Sequence, residues 1–384
     1  MYNFINNIKE RRMIMNIGLI GFGSMGKTHA WCIENLKYFY RDLPFEAKVA
    51  GVCSGHREST KKAADFLGCK AYFCEDDLIN DENIDAVSIC TPNIYHYETL
   101  KKAIAAGKHI YCEKPLCITY DQAKEIEGLT REKGIVNRIV FNNRFLPAIM
   151  KAKELISEDR LGRIISFRAE YLHSSAADPE RRAGWKQNRD ICGAGTLFDL
   201  GAHAVDMIQF LCGNITSVKG SSQIAFPERL GTDGKLWQTN ADEAFYLICK
   251  TEGEAMGTIE VSKLTVGAND EFNFSVYGEK GSIKFELMNP NWLYFYDSTA
   301  PGGSYGGDRG YTKIECCGRY DLPGGIFPSF KAPIGWLRGH LHSMYSFLEA
   351  IHTGAPAHPD FTDGASVQHV LEMALEDDDR FPIK

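Results

Sequence analysis

"NIGLIGFGSMGKTHAWCIENL", Asn16 to Leu36, is an apolar strand that runs straight into a helix with three glycines at the joint. Gly21-Phe22-Gly23-Ser24-Met25-Gly26 has the G-x-G-x-x-G spacing. Glycines there permit a tight turn and close backbone approach to a pyrophosphate, whose charge meets unpaired N–H groups and the positive end of the helix. The pattern by itself is weak. Its position between a strand and a helix, at the head of a β/α array, makes it a dinucleotide site rather than a glycine-rich turn. Further strands read at "AKVAGVC" (47–53), "DAVSIC" (85–90) and "HIYCEK" (109–114), separated by the helical stretches "ESTKKAADFLG" (58–68) and "HYETLKKAIAAG" (96–107). Strands alternating with helices predict a parallel sheet covered on both faces, an α/β unit.

Beyond residue 140 the order changes. A helix at "LPAIMKAKELISE" (146–158) leads to the strand "RIISFRAEYL" (163–172). Strand candidates then follow one another: "ITSVKGSSQIA" (215–225), "EAFYLICKT" (243–251), "EAMGTIEVSK" (254–263), "EFNFSVYGEKGSIKFEL" (271–287) and "NWLYFYD" (291–297). Such a run predicts a second, α+β domain with a largely antiparallel sheet. The helix "GHLHSMYSFLEAIHTG" (339–354) and a short helix after Asp363 close the chain. The expected division is an N-terminal extension at 1–14, a dinucleotide-binding domain at 15–138 and a substrate-binding domain at 139–384. The extension shows no period, and Met13 and Met15 offer alternative starts, so it is expected to be dispensable.

Bulk properties narrow the function classes. With 384 residues, 44% of them hydrophobic and 24% charged, the chain reads as a globular protein of about two or three domains. It has no apolar run of roughly 18 residues and no leader with a cleavage site, so it is expected to be cytoplasmic and not membrane-embedded. The net charge of -7 is dispersed without a basic stripe, which argues against nucleic acid as a partner. Twelve cysteines lie scattered, many in strand-like runs, with no C-x-x-C pair, as expected of reduced, buried thiols. His340 and His342 alternate, so one helix face cannot offer both to a metal, and no metal site is expected.

Polar chemistry collects at the strand ends, where open α/β sheets bind ligands. The second strand ends in Ser54-Gly55-His56-Arg57 with no carboxylate. An acid there would repel a 2′-phosphate, whereas Ser54, His56 and Arg57 accommodate one, which favours NADP over NAD. In "CTPNIYH", Thr91, Pro92 and Asn93, followed by His96, are placed to line the nicotinamide ribose. In "YCEKPL", Glu113 and Lys114 reach towards its hydroxyls. "GTLFDLGAHAVDM" (195–207) sets Asp199 and His203 about one helical turn apart, pointing from one face to one place.

Taken together, the glycine fingerprint, "CTPNIYH", "AAGKHIYCEKPL", "FNNRFLPA" and "GAGTLFDLGAHAVDM" resemble the Gfo/Idh/MocA family, the glucose-fructose oxidoreductase and inositol dehydrogenase group. The resemblance runs from Asn16 to "FTDGASVQHVLEMA" near residue 374. It implies a Rossmann domain followed by an α+β domain whose large, mostly antiparallel open sheet serves assembly as a homodimer or homotetramer. It also implies that Lys114, Asp199 and His203 meet at the nicotinamide. Two departures stand out: the acidic tip of the second strand is missing, and the tail "LEDDDRFPIK" lacks the serine usual in that helix.

Those residue types suit oxidation of a secondary alcohol, which loses a hydride from carbon and a proton from a weakly acidic hydroxyl. His203 can take the proton, Asp199 can orient the substrate, and Lys114 supplies the cation and can shuttle the proton; His203 and Lys114 both remain candidates for the base. Asn142 is expected to border the cofactor, and Asn143 and Arg144 the substrate. Trp185 and Arg189 in "GWKQNRD" join an aromatic face to polar donors, as a sugar requires. The expected activity is NAD(P)-dependent hydride transfer at a secondary hydroxyl or ketone of a sugar, sugar derivative or cyclitol. Two alternatives are an NAD-dependent glycosidase that oxidises its substrate transiently, and a non-catalytic dinucleotide sensor. The presence of all three reactive residues counts against the sensor.

Overall fold

The computed structural model describes residues 12–378; most of the expected N-terminal extension, residues 1–11, lies outside them. Six strands form a parallel sheet: β1 (Met13–Ile20), β2 (Phe45–Cys53), β3 (Lys70–Ala71), β4 (Ala86–Ile89), β5 (His109–Cys112) and β6 (Asn137–Ile139). Their order is β3-β2-β1-β4-β5-β6, the doubly wound Rossmann arrangement, with the switch point between β1 and β4. The first strand begins earlier than its apolar run suggests, since Met13 and Ile14 already pair with Phe45 and Glu46.

Helices α1 (Ser24–Phe39), α2 (Arg57–Leu67), α3 (Glu75–Ile79), α4 (His96–Ala105) and α5 (Tyr120–Lys133) follow successive strands. Strand alternation decides what each covers. Met15, Ile17 and Leu19 point into a core with α1 and α2, while Ile20 faces the core of α3, α4 and α5. Gly18 is small for a steric reason: a Cβ there would lie 2.5 Å from the Leu78 side chain.

The second unit opens with α6 (Pro147–Ser157), β7 (Ile164–Leu172), α7 (Arg189–Cys192) and α8 (Ala202–Cys212). Its strands are β8 (Ile215–Gln223), β9 (Glu228–Leu230), β10 (Leu236–Gln238), β11 (Ala244–Thr251), β12 (Met256–Ser262), β13 (Glu271–Gly278), β14 (Gly281–Glu286), β15 (Trp292–Asp297) and β16 (Tyr311–Glu315). Eight strands form one open sheet in the order β16-β15-β14-β13-β7-β12-β11-β8, in which only the β7–β12 pairing is parallel. One face packs on α6, α8 and the last helix. The other carries Tyr246, Ile248 and Met256, all exposed.

The chain then returns to its beginning, a packing that a division at residue 138 does not anticipate. Helix α9 (Trp336–Thr353) buries Leu341, Met344, Phe347 and Leu348 in the core of β1 and α1. Helix α10 (Phe361–Glu376) packs on α5, β6, α8 and β8. It is longer than its sequence suggests because Asp360 caps it, accepting from the amides of Thr362 at 2.8 Å and Asp363 at 3.3 Å.

Candidate active site

A cleft of about 1260 Å³ runs along the C-terminal strand ends of the parallel sheet and onto the second domain. Gly21 to Met25 and Ser54 to His56 line one end; Lys114, Tyr171, Asp199, His203 and Lys263 line the other. The glycine turn is built for close approach. Gly21 has φ +95, and a Cβ there would lie 2.6 Å from the Cys90 carbonyl oxygen. A Cβ on Gly26 would lie 2.3 Å from the oxygen of Gly21, whereas Gly23 faces open space. No side chain caps α1 at Gly23, which leaves its first amides to a ligand. Beside the turn, the Thr91 hydroxyl is buried with no partner among the described residues, and Asn93 Nδ2 donates to the Cys192 carbonyl at 2.8 Å. These features fit a dinucleotide.

The tip of β2, Ser54 to Arg57, carries no carboxylate. Ser54 is tied to α2 through its amide, which donates to Thr60 Oγ1 at 3.0 Å, and it lines the cleft together with His56. Arg57 does not line it: the exposed guanidinium lies over the Phe73 ring at 4.0 Å, and Phe73 forms the wall.

Below the cleft Glu113 is buried against His29 of α1, with Oε1 3.0 Å from Nε2. The His29 Nδ1 lies 2.8 Å from Ser88 Oγ and 3.1 Å from Cys90 Sγ. Burial opposes both charges, but Cys90 and Glu113 outweigh it for the imidazole, raising it to about 10. His29 does the same for the carboxylate, lowering it to about 2. Glu113 therefore anchors the turn that presents Lys114.

The other end of the cleft is organised around one carboxylate. Asp199 sits in a π-helical turn, Leu197–Gly201, that feeds α8, a widened turn of the kind frequent at functional sites. Lys114 Nζ donates to its carbonyl at 2.6 Å and to Oδ1 at 3.0 Å. Lys186 and Lys263 meet Oδ2 at 2.7 and 2.8 Å. Burial opposes the charge, but the three ammonium groups hold this carboxyl well below the usual range. His203 lies between Phe141 and Tyr171, with ring centroids 6.1 and 6.0 Å away, and its Nδ1 has no partner among the described residues. Burial, then the neighbouring Lys114 charge, lower it to about 3, so the ring is neutral. The turn is clamped from behind by buried Asp242, which accepts from the amides of Gly195 and Leu197, both at 2.7 Å.

Of the residues singled out in the sequence, the structure brings Gly21–Met25, Ser54, His56, Thr91, Pro92, Asn93, Glu113, Lys114, Asn142, Trp185, Asp199 and His203 to this cleft. Six others do not line it: Arg57 lies over Phe73, Gly26 packs against Gly21 inside the turn, and the remaining four lie elsewhere. His96 is buried with its ring nitrogens 2.8 and 3.0 Å from the carbonyls of Pro115 and Thr91, so it braces the two loops from behind. Asn143 is buried and accepts from Asn142 Nδ2 at 3.3 Å. Arg144 is locked between Asp206 and Asp363 and stacks over Phe210, a structural ion pair rather than a substrate contact. Arg189 starts α7, its amide donating to Asn240 Oδ1 at 2.7 Å, away from the cleft lining.

Sequence reasoning missed Lys263, Tyr171, His173 and Asp270. Asp270 Oδ1 accepts from the Tyr171 hydroxyl at 2.7 Å and lies 2.9 Å from His173 Nε2, forming a polar wall opposite Trp185. Their only signal is a polar residue at or beyond a strand end, which many loops share.

Residues 15–141 match the description "Oxidoreductase family, NAD-binding Rossmann fold", and residues 149–284 match the GFO/IDH/MocA C-terminal domain. Levoglucosan dehydrogenase of Pseudarthrobacter phenanthrenivorans is 30% identical, over 94% of this chain and 95% of its own. A solved levoglucosan dehydrogenase in complex with NADH and levoglucosan superposes with a TM-score of 0.90 at 29% identity, covering 95% of this chain and 97% of that one. The NADP(+)-dependent scyllo-inositol 2-dehydrogenase of Bacillus subtilis is 24% identical, over 97% of this chain and 96% of its own. With its glycine cradle and its lysine-bound Asp199 beside His203, the chain belongs to the Gfo/Idh/MocA family and is an NAD(P)-dependent oxidoreductase acting on CH–OH groups.

Proposed function

We propose that the enzyme moves a hydride between the nicotinamide of NAD(P) and a secondary hydroxyl or ketone of a sugar, sugar derivative or cyclitol, with Lys114, Asp199 and His203 as the reacting groups. The observation that carries this reading is their convergence at the end of a cleft whose other end is the glycine cradle. When bound, the nicotinamide supplies the hydride acceptor or donor. The protein supplies the rest. Neutral His203, whose ring lines the cleft, takes the hydroxyl proton; the Lys114 ammonium stabilises the developing alkoxide; Asp199 holds Lys114 in place and accepts from a substrate hydroxyl. Trp185 offers an apolar face, while Lys186, His173 and Asp270 offer hydrogen bonds, a mixture that matches a sugar ring.

Relatives that act on levoglucosan and scyllo-inositol support a neutral polyol as substrate. The tip at Ser54–His56, which has no carboxylate, supports NADP binding at least as tightly as NAD. All twelve cysteines are free, in keeping with a reducing cytoplasm. The outward face of the open sheet, with Tyr246, Ile248 and Met256 in adjacent strands, is the proposed subunit contact of a homodimer or homotetramer.

The test is a panel of anhydrosugars, hexoses, hexose phosphates, inositols and glycosides, each offered with NAD and with NADP. Cofactor reduction with at least one polyol is expected. Glycoside cleavage with no net change in cofactor absorbance would replace this reading with transient oxidation by a glycosidase.

A further inference from the structure

Helix α9 carries three polar side chains in its first two turns, and they differ in what they meet. Arg338 donates to the Tyr40 hydroxyl at 2.7 Å and to the Gly324 carbonyl at 2.6 Å; His342 Nδ1 lies 2.8 Å from the same Tyr40 hydroxyl. His340 points the other way, into the cleft. It is 2% exposed, and neither ring nitrogen has a hydrogen-bond partner among the described residues. A buried polar ring with both nitrogens idle is a liability unless a ligand uses it.

Its surroundings say which part of the cleft it serves. The helix comes close to the segment that carries Asn142, since a Cβ on Gly339 would lie 2.9 Å from the Asn142 carbonyl oxygen. The centre of the His29 ring, which holds Glu113, is 6.4 Å away, and the Trp336 ring packs steeply inclined with its centre at 4.3 Å. Glu113, Lys114 and Asn142 are the residues of the nicotinamide end; the pyrophosphate cradle and the Ser54 tip lie further along the cleft. Burial, with Glu113 opposing it, lowers His340 to about 3, so the ring is neutral and offers one donor and one acceptor.

We infer that His340, with Trp336 packed against it, is a cofactor-positioning residue that hydrogen-bonds the nicotinamide ribonucleoside half of the dinucleotide, through the carboxamide or a ribose hydroxyl. A neutral imidazole matches either group, because each contains both a donor and an acceptor. The C-terminal helix would then complete the nicotinamide site. The inference rests on the cleft taking NAD(P), so the test separates the two.

Binding of NADH, ADP-ribose and ADP is measured by calorimetry on the wild type, His340→Phe and His340→Gln. His340→Phe keeps the ring volume and is expected to weaken NADH roughly ten-fold while leaving ADP unchanged. His340→Gln, which restores a donor and an acceptor, is expected to recover most of that loss. Weakened ADP-ribose assigns the contact to the ribose, and unchanged ADP-ribose assigns it to the carboxamide; both support the inference. Unchanged NADH binding in His340→Phe, or equal weakening of NADH and ADP, overturns it. Failure of all three ligands and of NADPH to bind the wild type refutes the dinucleotide reading and the inference with it. Should His340→Phe not fold, His340→Gln and Trp336→Leu, compared on NADH against ADP, decide the question by the same difference.

Discussion

Asp199→Asn removes one charge and almost no volume from the centre of three lysines. Two unit charges 2.8 Å apart attract by roughly 6 kcal/mol at an effective dielectric constant of about 20. That is an upper figure here, because the Lys186 side chain is 45% exposed while those of Lys114 and Lys263 are 13% and 10% exposed. Breaking a buried pair costs about 3–5 kcal/mol, and the screening at Lys186 brings the expectation for the apo protein at neutral pH to about 2–3 kcal/mol. In a domain pair of this size that lowers Tm by roughly 3–5 °C. The pH dependence makes the prediction specific. Burial already lowers Lys263 from its ordinary 10.5, with Asp199 opposing it. Without the carboxylate it falls further, so the folded state resists its protonation while the unfolded state does not. The deficit should be full below the folded value and shrink as pH rises towards 10.5. Urea unfolding of apo wild type and variant at neutral and alkaline pH measures it. A deficit independent of pH over that range would refute the electrostatic account of the cluster, and turnover within about ten-fold of the wild type would remove Asp199 from the reacting groups.

His203→Ala and Lys114→Ala should each lower turnover by about 10²- to 10⁴-fold with NADH binding retained, read by steady-state kinetics and calorimetry; near-normal turnover in His203→Ala excludes it as the base. Asp242→Asn weakens the charge-assisted bonds to the Gly195 and Leu197 amides, so a loss of about 2 kcal/mol in urea unfolding and a matching fall in turnover are expected. The Glu113–His29 pair should shape stability against pH: the Glu113 contribution is present above 4.5 and lost as pH falls towards about 2, while that of His29 is complete below 6.5 and lost as pH rises towards about 10. His29→Gln should flatten the curve of Tm against pH on both limbs. Ser54→Asp should weaken NADP selectively, and ten-fold tighter binding of NAD than NADP to the wild type would show that the hydroxyl-rich tip serves the ribose directly.

Much of this was legible because local sequence carries it. The strand-glycine-helix joint at Asn16–Leu36 declares itself by apolar alternation and three glycines, and Asp199 and His203 declare themselves by spacing within one segment. What local sequence does not carry is convergence. Lys263 follows the end of a strand, 64 residues after Asp199 in the chain, and looks like any solvated lysine. Arg144 sits in an attractive motif beside Asn142, yet Asp206 and Asp363, far apart in sequence, turn it into a buried strut. His96 follows Thr91 to Asn93 closely in sequence, but α4 begins at that residue and turns its ring inward. The NAD(P) end was therefore easier to read than the substrate end, which depends on where β7, β12 and the 264–270 loop come together.

The return of α9 and α10 to the first sheet bears on how the enzyme is made. The ribosome delivers β1 to β6 first, yet the apolar side of β1 and α1 is closed by Leu341, Met344, Phe347 and Leu348, and β6 is backed by α10. A nascent chain carrying the whole glycine fingerprint still exposes half of its nucleotide unit until the last helices emerge. Completion of the cofactor site is thus tied to completion of synthesis, and a message truncated before residue 336 yields a chain with the fingerprint intact and the nucleotide unit unfinished.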